Sequence, residues 1–272
     1  VAEPAAASTA AIYRRLVAAQ VRSQLAYRVS FVLDLVSNVV FLGADLLTVL
    51  VVFHRVPVLA GFSLADTLLV FGLASLGFSL AELIVGSIDR MQRHVRTGLL
   101  DAVLIRPLGV LWQLLVLDVG LRRVGRVCSG LVVLAIAVRL AGVPLTPANL
   151  LLLVITPVAG AVFFGAMFVA TATVAFWWVD SGELSAALTH GGRDFTSYPL
   201  TVFGGWFRHL FAFGLGFGFV AYYPALILLD RPDPLGAPAW LGWCGPLQAA
   251  VAATLAALIW RTGVRHYRST GS

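Results

Sequence analysis

The chain of 272 residues contains no lysine; all 19 basic residues are arginine. A P-loop needs a lysine to reach the terminal phosphates of a nucleotide. The chain is therefore no conventional P-loop ATPase, and a nucleotide-driven function must borrow its motor from another subunit. Charge of either sign is scarce: 12% of residues are charged, against about 25% in soluble domains. Cysteine is scarce as well. Cys128 and Cys244 both lie in apolar stretches and read as packing residues toward opposite membrane faces, with no disulfide between them. The histidines His54, His94, His190, His209 and His266 are scattered without metal-ligand spacing. No serine sits in a Gly-x-Ser-x-Gly setting, and no close aspartate pair is placed to hold magnesium on a diphosphate. Neither catalytic nor metal-binding residues are expected. The first ten residues, VAEPAAASTA, lack a charged region followed by an apolar core, so no cleavable signal peptide is expected there.

What the chain has in excess is apolar surface. It is 60% hydrophobic, with a mean hydropathy of +0.92. Apolar runs recur along its whole length, which predicts an all-α membrane protein. The formal charge of +6 then reports topology and contact with anionic headgroups, not nucleic acid. A criterion of about 20 apolar residues per span predicts six transmembrane helices, near 29–53, 65–88, 110–141, 148–178, 206–223 and 240–260. Residues 11–28 read as an interfacial helix, with Ile12, Tyr13, Leu16, Val17 and Val21 on a broad apolar arc that suits either headgroup embedding or packing against the rest of the chain.

Arginine counting sets the orientation. With the N-terminus inside, 16 arginines face the cytoplasm and three, Arg55, Arg139 and Arg231, face outside. Both termini are then cytoplasmic. Residues 179–205 read as a cytoplasmic segment, because Asp180, Glu183, Arg193 and Asp194 argue against hydrocarbon. Residues 224–239 follow a Tyr-Tyr-Pro break with an apolar start, and read as a short outer re-entrant segment.

Several residues are candidates for function. Asp45 and Glu82 fall within spans, where ionised groups are costly, and are the candidates for a substrate path or proton relay. Glu82, like Asp34, has an alternative as a partner of a basic residue such as Arg28 or Arg90. Gly214 and Gly218 form a Gly-x-x-x-Gly, which suits a dimer interface, a mobile seam or simple packing within the chain. Arg122, Arg123 and Arg126 recur at helical spacing at the base of the third span, suited to headgroup contact or to meeting a partner. Trp177, Trp178, Trp240 and Trp243 fit interfacial belts.

The most unusual stretch is residues 89–113, DRMQRHVRTGLLDAVLIRPLGVLWQ. It has too many charges for hydrocarbon and too many leucines and valines for a free linker. Here the chain resembles a branch of the ABC-2-type transporter permeases. The matching positions are Arg96, Gly98, Leu100, Asp101, Arg106, Pro107 and Leu108. FWWVDSGEL at 176–184, with Tyr198-Pro199, and the Tyr222-Tyr223-Pro224 step follow in the order of that family.

The resemblance implies a single permease domain over 1–272, the membrane subunit of an ATP-driven exporter. It implies a pair of permeases, identical or paralogous, and a dimer of cytoplasmic ATP-binding subunits that carry ATP and magnesium, with no cofactor on this chain. It implies docking through a cytoplasmic coupling helix within 89–109, aided by the N-terminal interfacial helix, and short outer re-entrant helices before the last span. The coupling residues so implied are Arg90, Arg93, Arg96, Leu100, Asp101, Leu104 and Arg106. In this reading Leu100, Val103 and Leu104 fill a groove on the ATPase, and the arginines meet acidic residues or lipid phosphates. The all-arginine usage, rich in alanine, leucine, valine and glycine, suggests a GC-rich bacterial genome, and the expected location is the bacterial inner membrane. A proton-coupled secondary transporter or channel working through Asp45 and Glu82 is the alternative.

Overall fold

A computed structural model describes residues 28–105, 109–116, 122–178 and 180–267. The expected interfacial helix over 11–28 lies outside the described residues except for Arg28, and Arg106 lies outside them too. The described residues form helices and turns with no strand. The long helices are α1 (Arg28–Arg55) and α2 (Leu64–Val85). A 3-10 turn, Gly86–Arg90, leads to α3 (Met91–Arg96) and α4 (Leu99–Leu104). Then come α5 (Val110–Val116), α6 (Arg122–Leu140) and α7 (Pro147–Thr173). The chain continues through α8 (Gly182–Thr196), α9 (Gly205–His209), α10 (Tyr222–Leu228) and α11 (Gly245–His266).

The helix starts follow local chemistry. Ser63 and Asp66 form a reciprocal capping box at the start of α2. Thr146 caps α7, with Pro147 in the first turn where no amide donor is needed.

Among the described residues, four helices are long and apolar enough to cross a bilayer: Val36–Arg55, Leu64–Arg96, Pro147–Phe176 and Gly245–His266. They match the first, second, fourth and sixth expected spans. The third expected span is described as α5 and α6, and residues 117–121 lie outside the described residues. The fifth is not one straight span. Gly205–Gly214 and Phe217–Leu228 are bent by 67°, and Gly216 between them has φ 85°, a left-handed conformation that favours glycine. Gly214 and Gly218 thus lie on either side of a break and share no helix face. Gly218 is packed within the chain, where an added Cβ would meet Leu200 and Tyr223. The break also places the outer-segment start, expected at 224, inside α10, whose Tyr222, Tyr223, Pro224 and Leu226 are buried.

The second correction concerns residues 179–205. They were expected to lie in the cytoplasm, but α8 packs against α2 and α7. Its first turn lies by Gln92, its His190 ring is 5.6 Å from Phe78, and Tyr198 beyond its end joins the cluster around Val49, Leu69 and Ala221. The helix therefore runs from the C-terminal end of α2 back along it. Arg193 is tolerated there because it finds a carboxylate partner among the helices.

Helix association in lipid relies on close packing, since lipid tails are as apolar as leucine. Small residues allow it. A Cβ on Gly77 would sit 3.2 Å from the Gly160 Cα, so α2 and α7 cross almost backbone to backbone. At the centre Phe78 meets Phe164 edge-on at 5.1 Å, and Phe163 meets Phe217 in the same way at 5.1 Å. Such pairs add ~0.5–1.5 kcal/mol each beyond their buried area. At the end where α2 begins, Arg231 donates to Asp66 at 2.6 Å and to the Gly61 carbonyl, tying the 230 turn to α2. Cys128 is exposed on α6, not packed inside the chain, and Cys244 is partly buried; both are free thiols.

Candidate functional site

Two features carry chemistry: a charged cavity among α1, α2, α6 and α8, and the surface segment formed by α3 and α4. The cavity arises because each helix turns a polar stripe the same way. On α2, Ser75, Ser79 and Glu82 recur at helical spacing; on α6, Arg126 and Ser129 do; on α8, His190 and Arg193 do. Asn38 and Asp45 lie two turns apart on α1. These residues, with Phe41 and Phe78, enclose about 390 Å³.

Charges in the cavity are paired across helices. Arg126 donates through Nη1 to Glu82 and through Nε to Asn38 Oδ1 at 2.9 Å, joining α6 to α2 and α1. Arg193 donates to Asp45 Oδ2 at 2.5 Å, joining α8 to α1. Its guanidinium also lies 5.7 Å from the Phe78 ring centroid, a cation–π contact. Asp45 is ten residues before Arg55 at the end of α1, about 15 Å along the helix at 1.5 Å per residue. A paired charge at that depth is far cheaper than a lone one. Glu82 is 9% exposed, and its Oε2 has no hydrogen-bond partner; neither has the Ser75 hydroxyl.

The structure brings Asp45 and Glu82 to one cavity. Each has an arginine partner: Glu82 pairs with Arg126 and Asp45 with Arg193. Arg123 and Arg126, read as headgroup or partner contacts, face inward: Arg123 is buried, close to Gly86, and Arg126 lines the cavity. The side chains of Asp34 and Arg122 lie outside the described residues. Asn38, His190 and Arg193 were not singled out for this site. The spacing of polar residues within apolar helices was the available signal.

The coupling segment is broken at a glycine. α3 is followed by Thr97 at its C-cap, and Gly98 has φ 66° before α4 begins. Its orientation differs from the expectation. Met91, Val95, Leu100 and Val103 point into the core shared with Phe163, Phe168 and Trp260. Leu100 is 1% exposed, and Leu104 packs partly buried on the same cluster. Neither Leu100 nor Val103 is available to fill a groove on another protein. The reason is period: positions 91, 95, 100 and 103 form one inward face once the glycine turn resets the register. The outward face carries Ile105, 85% exposed, and Leu99, 40% exposed.

Arg90 and Arg93 are exposed on that segment. Arg96 pairs with Asp180, which also accepts from Gln92 at 3.3 Å, so the segment is tied to the turn before α8. Asp101 stands beside Tyr267 at the end of α11. Burial, then the Asp101 carboxylate, pushes the Tyr267 phenol above its ordinary pKa. Trp177, Trp178, Trp240 and Trp243 are all exposed, in keeping with belts.

Among the described residues no group of three or more histidine, cysteine or acidic side chains is placed to hold a metal. No curated protein and no solved structure matches the chain. The family model for ABC-2 family transporter proteins does match, over residues 39–271. That span runs from within α1 to beyond α11 and includes the coupling segment and every cavity residue but Asn38. The chain belongs to the ABC-2 transporter family, as the multi-pass membrane permease of an ABC transporter that associates with an ATP-binding subunit.

Proposed function

We propose that the chain is half of the translocation path of an ATP-driven exporter, driven by a cytoplasmic ATPase dimer through α3 and α4. ATP and magnesium belong to that partner, and a second permease, identical or paralogous, completes the path. The setting is a bacterial inner membrane with both termini in the cytoplasm. Arg126 and Arg193 are held by carboxylates within the packing, and Arg208 belongs to the bent pair beside Tyr222. These three no longer count toward topology, but the remaining arginines keep the same bias. Asp45 and Glu82 are assigned to the substrate path because they line one cavity.

The observation that carries the coupling assignment is the split character of the segment. Its inner face is continuous with the packed core, through Met91, Val95, Leu100 and Val103. Its outer face bears an isoleucine and arginines with no core to fill. A segment built this way passes force as a rigid body, because close-packed interiors have low compressibility. The proton-coupled alternative gains no support from an isolated buried acid, since Asp45 and Glu82 each have an arginine partner.

The test is co-purification of the ATPase from native membranes with the tagged permease, followed by substrate-stimulated ATP hydrolysis. Ile105→Asp should leave the amount of folded permease unchanged and reduce the associated ATPase at least tenfold. Full retention of ATPase and of stimulated hydrolysis in that variant would remove α4 from the docking surface.

A further inference from the structure

We propose that the cavity among α1, α2, α6 and α8 binds a zwitterionic head group of an amphipathic molecule. The proposal rests on the transport reading and adds the chemical class of the guest. It follows from how the charges balance. The cavity holds two guanidinium groups and two carboxylates, joined as Arg126–Glu82 and Arg193–Asp45. A simple anion that captured either arginine would leave a carboxylate unpaired among the helices. A simple cation that captured either carboxylate would leave an arginine unpaired. Either outcome is costly, because the pairs are part-buried among the helices and breaking one side strands the other charge within a span.

A zwitterion escapes this penalty. Its anionic group takes the guanidinium, its cationic group takes the carboxylate, and one internal pair becomes two pairs with the guest. No charge is left alone. The two polar atoms in the wall without a partner, Glu82 Oε2 and Ser75 Oγ, give such a guest further hydrogen-bond capacity on small side-chain movement. Glu82 is nine-tenths buried and Ser75 more so, so these atoms gain most from being satisfied. Size and lining agree. About 390 Å³ lies at the lower end of ligand cavities, enough for a head group but not for a whole lipid. Phe41, which is largely exposed, and Phe78 supply apolar surface beside the charges, where an attached chain can lie.

The chemistry is shared by two sources, a bilayer lipid and a transported molecule, and the experiment separates them. The permease–ATPase complex is placed in nanodiscs of phosphatidylglycerol. Binding is measured for three probes with the same chain length: radiolabelled dodecylphosphocholine, dodecyltrimethylammonium and dodecyl sulfate, all below micelle formation. The zwitterionic probe should bind at least tenfold more tightly than either singly charged probe. Asp45→Asn combined with Arg193→Gln should abolish that preference. The exchange Asp45→Arg with Arg193→Asp, which keeps the charges and reverses them, should retain it.

Nanodiscs containing phosphatidylethanolamine then identify the source. A tenfold weaker probe affinity there assigns the cavity to a membrane lipid; unchanged affinity assigns it to a transported zwitterion. Equal binding of the three probes, or a preference untouched by the neutral double variant, overturns the proposal. If the ATPase still associates and hydrolyses ATP in that case, the transport reading stands without it. If no ATPase associates with the wild-type permease, the transport reading fails whatever the probes do.

Discussion

Leu100 and Ile105 lie five residues apart in the coupling segment and are predicted to behave in opposite ways. Leu100 is 1% exposed and packed on the core, whereas Ile105 is 85% exposed. Leu100→Ala removes three buried carbon atoms and leaves a cavity, which costs about 2–5 kcal/mol. The estimate belongs at the lower end if α4 settles inward, because it is a single short helix. Ile105→Ala removes atoms that face out, and surface replacements stay within about 0.5 kcal/mol. The difference, about 2 kcal/mol or more, is roughly a 30-fold change in the unfolding equilibrium. Unfolding titrations of the purified permease in mixed micelles, followed by circular dichroism, measure it. ATPase pull-down on the same samples should show the reverse order: retained association per folded molecule for Leu100→Ala, weakened association for Ile105→Ala. Equal stability losses, or a neutral Leu100→Ala with weakened docking, would falsify the inward assignment of that face.

Two other predictions test the packing and the cavity. Gly77→Leu puts a side chain where even a Cβ lies 3.2 Å from the Gly160 Cα; overpacking of this kind costs about 1–3 kcal/mol, and the same unfolding titration should show it while Gly43→Leu, with open space around it, is tolerated. Glu82→Gln should cost about 1–3 kcal/mol by stranding Arg126, a value lowered for the 41% exposure of that arginine side chain, and adding Arg126→Met should recover most of the loss; effects of Glu82→Gln and Arg126→Met that simply add in the double variant would show that the pair contributes nothing.

The long apolar helices were legible because bilayer thickness imposes a length on any spanning segment, and α1, α2, α7 and α11 meet it. The break at Gly98 was legible because Thr-Gly interrupts a helical pattern. The bend at Gly216 was not, since residues 206–223 are apolar enough to read as one span and only a left-handed glycine divides them. α8 was misplaced for a related reason. Its charged residues look incompatible with hydrocarbon when each is judged alone, and Asp45, which neutralises Arg193, lies 148 residues away in sequence. The cavity itself was half legible. Ser75, Ser79 and Glu82 repeat on one face of α2, as Asn38 and Asp45 do on α1, but a stripe on one helix does not say which helix it faces.

The sequence alone determined that this is a helical membrane protein with no lysine to build a P-loop, because hydropathy and the absence of a residue type are properties of single positions. Its motifs also carried the resemblance that the family match over residues 39–271 bears out. Only the tertiary structure decided which arginine neutralises which acid, and that Leu100 faces in while Ile105 faces out. Those are properties of pairs and of register. They depend on how helices distant in the chain pack against one another, and no local pattern encodes that.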